Sequence, residues 1–101
     1  SHANVMRLAK LLEQKHCLRG GDIAGIRRTD KVVRARQEWF WTLRVIWKLS
    51  YMKIAHHADR DHTTVLHGVR QHESRLQNEE FNRDRLTVPV MFSLMDGQHG
   101  S

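Results

Sequence analysis

The sequence predicts an all-α fold, a compact helical domain carrying a helix-turn-helix, and three observations lead there. Apolar residues recur at helical rather than alternating spacing along most of the 101 residues. A short helical stretch, "YMKIAHH" at 51–57, is followed after a turn of about four residues by a longer one. The longer stretch opens on "RDHTTVLHGVR" at 60–70, a block of short polar and charged side chains that cannot serve a core.

Each element has its own signals. Asn4 can cap a first helix, with Val5, Leu8, Ala9 and Leu12 on one face and Arg7, Lys10, Glu13 and Gln14 on the other. "RGG" at 19–21 supplies a stop, because glycine takes the left-handed cap without strain. Asp22 opens a short turn through Ile23, Ala24 and Ile26, and "IRRTD" at 26–30 reads as a basic loop in which Thr29 or Asp30 caps the next helix. That helix is expected over about 31–48, its core stripe being Val32, Ala35, Trp39, Leu43, Ile46 and Trp47, with Arg34, Gln37, Arg44 and Lys48 opposite. Ser50 caps the short helix. Asp59 or Asp61 caps the last one, which is expected to run to about 77 with Val65, Val69, His72 and Leu76 inward. The opening Ser-His-Ala is set apart as a cloning remnant or the cut edge of a longer chain. The domain is then 4–77, followed by a C-terminal extension, 78–101.

Composition narrows the partners. A hydrophobic fraction of 40% and a charged fraction of 28% belong to a globular chain rather than a disordered one. Seventeen Lys and Arg against eleven Asp and Glu give a formal charge of +6, which favours a polyanion. No apolar run approaches the roughly 20 residues that cross a bilayer, and no helix pairs a large apolar face with a lysine-rich one, so a membrane is not expected as partner. The single cysteine, Cys17, fits a reducing compartment such as the cytoplasm and is expected in the core.

The polar block at 60–70 has a physical use. Side chains on the first turn of a recognition helix reach base edges in the major groove. A carboxylate there can accept from cytosine N4, an imidazole can reach a base or a phosphate, and a threonine methyl can touch thymine. The amino end of the helix itself draws a phosphate.

Here the residues carry a resemblance. "RDHTTVLHGVR" resembles the signature of the C-terminal duplex-DNA-binding domain of DnaA, the bacterial chromosomal replication initiator. "VVRARQ" at 32–37 is similar to that family's entry to its long helix, and "IRRT" to the basic loop before it, so the likeness runs from about 4 to 76. The resemblance implies base contacts in the major groove from Asp61, His62 and Thr63, and phosphate contacts from Thr64, His67, Arg36 and Gln37. It implies that Arg28 enters the adjacent minor groove, where narrow A·T-rich DNA attracts arginine. Arg34 and Arg60 complete the expected phosphate set. The implied partner is double-stranded DNA with an A/T-containing box similar to the initiator's, in a bacterial cytoplasm and at the nucleoid.

There are departures from the family pattern. Tyr51 and Met52 stand where the family has Leu-Pro, "HAD" at 57–59 replaces Phe-Gly-Gly one residue short, and Asp30 replaces a basic residue. No G-x-x-x-x-G-K-[ST] loop occurs, so no nucleotide cofactor is expected. The divergent turn and the terminal "VPVMFSLMDGQ" favour a free-standing replication or transcription regulator over an excised domain. Eight histidines invite a metal, but His62, His67 and His72 recur every five residues, which rotates them around the helix, and no HExxH or Cys-His pairing exists. No catalytic constellation is present, so no enzyme is expected. Trp41 falls among Arg34, Gln37 and Arg44, and is expected either to pack on the first helix or the C-terminal segment, or to serve a protein partner or self-association. The apolar segment around Pro89 is expected either to fold back and finish the core or to dock another protein or a second copy, with Pro89 ending or starting a helix. A protein–protein interaction module that keeps the DNA-reader fold is the alternative to a DNA reader.

Overall fold

The computed structural model describes the backbone of residues 1–98 and the side chains of residues 1–83. Among these residues four helices follow in order: α1 His2–Lys15, α2 Asp30–Trp41 continued by a π-helical turn Thr42–Ile46, α3 Tyr51–Ala58, and α4 His62–Gln98. The core lies where α1, α2, α3 and the first half of α4 meet, and Trp39, Phe40, Ile23, Leu43, Ile54, Val5, Val32 and Val65 are its largest fully buried members.

Local chemistry sets most boundaries as expected. Thr29 accepts from the Val32 N–H at 3.4 Å and Ser50 from the Lys53 N–H at 3.2 Å, each capping its helix. α1 starts earlier than expected: the Ser1 hydroxyl accepts from the Asn4 N–H, so Asn4 lies inside the helix and not at its cap. It also stops earlier, at Lys15 rather than at the glycines. Cys17 takes a left-handed φ of 56°, with its N–H on the Gln14 carbonyl and the Leu18 N–H on the Glu13 carbonyl, a Schellman closure. Cys17 is therefore exposed at a helix end, not in the core.

The stripe predicted for α2 holds through Val32, Ala35, Trp39 and Leu43, all buried. It fails at Ile46 and Trp47, which are 58% and 39% exposed. The cause is the π-helical turn: hydrogen bonds that skip five residues rather than four, such as Trp47 N–H to the Thr42 carbonyl at 3.0 Å, change the winding and rotate everything downstream. Trp41 packs on α4, its indole N–H donating to Glu73 and its ring tilted against His72 at 5.3 Å. Its half-buried ring thus packs within the chain, and whether the C-terminal apolar segment also meets it lies outside the described side chains.

α4 crosses close over α2 because Gly68 is there: a methyl at that position would meet Phe40 Cδ2 at 2.8 Å. Val65 and Val69 are buried beneath it, and His72 and Leu76 are half-buried. The helix does not break at Gln77, and its backbone stays helical past Pro89, whose φ suits a helix and which forgoes one hydrogen bond. The packing of the apolar segment 86–95 lies outside the described side chains. No helix among the described residues is long and apolar enough to cross a membrane.

Candidate nucleic-acid interface

The turn between α3 and α4 is short and strongly specified. α3 ends in a second Schellman closure, with the Arg60 N–H on the Ala55 carbonyl at 3.0 Å and the Asp59 N–H on the His56 carbonyl at 3.3 Å. Asp59 occupies the left-handed position, φ 53°, that glycine would take without strain. Asp61 then caps α4, its Oδ1 accepting from the Thr63 N–H at 3.1 Å and the Thr63 hydroxyl at 3.3 Å. The Thr63 N–H, helped by the Thr63 hydroxyl and the neighbouring His62, holds the Asp61 carboxyl below its ordinary pKa against desolvation. Three residues thus suffice where a longer glycine turn was the pattern.

This geometry leaves the first turn of α4 facing solvent. His62, Thr63, Thr64 and His67 are all exposed, and Asp61 sits at their head. The expected base-reading trio is brought together, with Asp61 also serving as a cap, 3.2 Å from His62 Nδ1.

Beside that turn lies the loop 22–28, and its construction was not expected. Arg36 is only 8% exposed. Its Nε donates to the Ile23 carbonyl at 2.7 Å, and its Nη2 lies 2.9 Å from each of the Asp22, Gly25 and Arg27 carbonyls. Arg60 donates to the Ala58 carbonyl at 3.2 Å, the Ala24 carbonyl at 3.5 Å and the Gly25 carbonyl. Gly25 has no room for a side chain, since a Cβ would stand 2.7 Å from the Gly21 carbonyl oxygen. From the other side, the buried Glu13 accepts the Ile23 N–H at 3.0 Å. Glu13 had been placed on the solvated face of α1.

These contacts give part of the expected phosphate set partners within the chain. Arg36 and Arg60 are braces that tie α2 and the end of α3 to the loop, so their donors point mainly at carbonyls rather than outward. Burial, then the nearby Arg60 and Arg28, pull the Arg36 pKa down to about 10 against the opposing pull of Asp22, which leaves it charged at neutral pH. Burial likewise lowers Arg60, with Arg28 adding and Asp59 opposing. Gln37 is turned under α4, where its Oε1 accepts from Arg75 at 2.6 Å. Arg28 and Arg34 remain exposed cations. Arg36 Nη1 makes no bond to another described residue, and Arg28, Arg36, Arg60 and Thr64 line one open cleft of about 500 Å³ between the loop and α4. Spacing alone carries no signal for a guanidinium aimed at backbone carbonyls, which is why the brace was not read from the sequence.

A short helix, a three-residue turn and a second helix whose polar first turn faces solvent beside an arginine-lined cleft define a DNA-binding helix-turn-helix domain. Residues 6–71 match the family model for the bacterial DnaA protein helix-turn-helix, and the chain belongs to that family. No curated protein and no solved structure matches it.

Proposed function

We propose that the chain binds duplex DNA in a sequence-selective way, at an A/T-containing box similar to the initiator's, and acts as a regulator of replication or transcription in the bacterial cytoplasm. The observation that carries this is the exposed block Asp61, His62, Thr63, Thr64 and His67 on the first turns of α4, flanked by the cleft that leads to Arg28. In this reading Asp61, His62 and Thr63 meet base edges in the major groove. Thr64, His67 and Arg34 meet phosphates. Arg28, held out by the braced loop, enters the minor groove. Arg36 and Arg60 position that loop, and Arg36 Nη1 offers its remaining donors to a phosphate in the cleft. No catalytic step is part of this role. The alternative of a protein-interaction module drew on Trp41 and the apolar segment around Pro89; Trp41 packs on α4, and the side chains of that segment lie outside the described residues.

Salt dependence tests the electrostatic half. With three arginines, Arg28, Arg34 and Arg36, set against phosphate charge, log K should fall against log salt with a slope of about −3. A slope near zero in a fluorescence-anisotropy titration would rule out the DNA backbone as the ligand of this face.

A further inference from the structure

We infer that Ile26 is a minor-groove contact, an apolar side chain that the braced loop holds against the floor and sugar walls of A·T-rich DNA beside Arg28. The inference rests on the reading of Arg28 proposed above and adds a residue to it. Ile26 is 94% exposed, while Ile23, three residues earlier in the same loop, is fully buried. Single exposed apolar residues are ordinary on protein surfaces. This one differs because its backbone is not free to fold it inward. The carbonyls of residues 22, 23, 25 and 27 are held by Arg36, and those of 24 and 25 by Arg60, so the loop is pinned on both sides of position 26. Two guanidinium groups thus keep an isoleucine in water, at a cost that only a covering surface offsets.

The neighbours say what covers it. Ile26 lines the same cleft as Arg28 and Thr64, so it lies on the side where α4 presents its polar first turn. A minor groove has walls of deoxyribose C–H groups, and apolar side chains are used there as contacts and wedges. The groove floor also distinguishes sequences: a G·C pair adds the guanine 2-amino group, which A·T lacks. An isoleucine against the floor fits A·T and collides with that amino group. Arg28 draws on the groove's negative potential, and Ile26 would add shape discrimination independent of charge.

The experiment compares the whole chain with its Ile26→Ala variant on three duplexes that share one box, recovered by selection from random DNA. In the flank the pairs are A·T, inosine·C or G·C. Inosine·C keeps the major-groove face of G·C while removing the minor-groove amino group. The parent should bind the A·T and inosine·C duplexes alike and G·C more weakly. From partial burial of one side chain, Ile26→Ala should lose about fivefold on the first two and little on the third. Its salt slope should match the parent's, because no phosphate contact is removed. Affinities within about twofold of the parent on all three duplexes, against a discrimination that is tenfold per 1.4 kcal/mol, would overturn the inference. If box preference in that case still depends on His62 and Thr63, only the role of Ile26 falls. A parent indifferent to every duplex sequence would remove the DNA reading and this inference together.

Discussion

Arg36→Ala is expected to destabilise the domain by about 3 kcal/mol, because it strips a buried guanidinium from four backbone carbonyls at once. For a domain of this size that is a fall of roughly 15 °C in Tm. The loss should spread beyond stability. Once the loop 22–28 is loose, Arg28 is no longer held at one place and any preference for an A·T-rich flank should weaken with it. Arg36→Lys keeps the charge but not the planar fork, and one ammonium cannot reach carbonyls in the four directions that Nε and Nη2 serve. It should therefore recover little of the lost Tm. Thermal unfolding by circular dichroism reads both variants, and a Tm for Arg36→Ala within about 3 °C of the parent, under 1 kcal/mol, would show that the loop is held by something else.

His62→Ala and Thr63→Ala should do the opposite, changing recognition and leaving the fold alone. Both side chains are exposed on α4, off the face of Val65 and Val69, and Thr63→Ala keeps the backbone N–H that Asp61 caps. Each variant should lose about 1–3 kcal/mol of discrimination at one or two base pairs, with affinity for random duplex changed far less. Tm should stay near the parent's. Equal losses on specific and random DNA would mean that these residues hold the backbone rather than read bases. Asp61 is the poorer probe, since its removal also uncaps the helix.

What could be read from the residues and what could not follow a physical line. Caps and amphipathic spacing are local, so Thr29, Ser50 and the Val32, Ala35, Trp39, Leu43 stripe were legible. The polar block at the head of α4 was legible too, because side chains that cannot serve a core stand out against helical spacing. Ile46 and Trp47 were misplaced since a π-helical turn breaks the 3.6-residue period without a glycine or proline to announce it. Cys17 was misplaced for a similar reason: three non-glycine residues, Cys17, Lys48 and Asp59, carry the left-handed conformations that end the helical segments of the first 60 residues. Arg36 and Arg60 were expected at phosphates, Arg36 through the resemblance, and Glu13 was placed by spacing on the solvated face of α1. Their roles come from carbonyls and an amide that sit up to 36 residues away in sequence, and a spacing rule has no access to such partners.

The most direct measurement is selection of bound sequences from a random duplex library by the whole chain at near-physiological salt. Sequence reading through the first turn of α4 predicts that one short motif is enriched, A/T-containing and similar to an initiator box, and that His62→Ala or Thr63→Ala relaxes it at one or two positions. A library that emerges as flat as it began would contradict the account, whatever the chain's affinity for DNA in general.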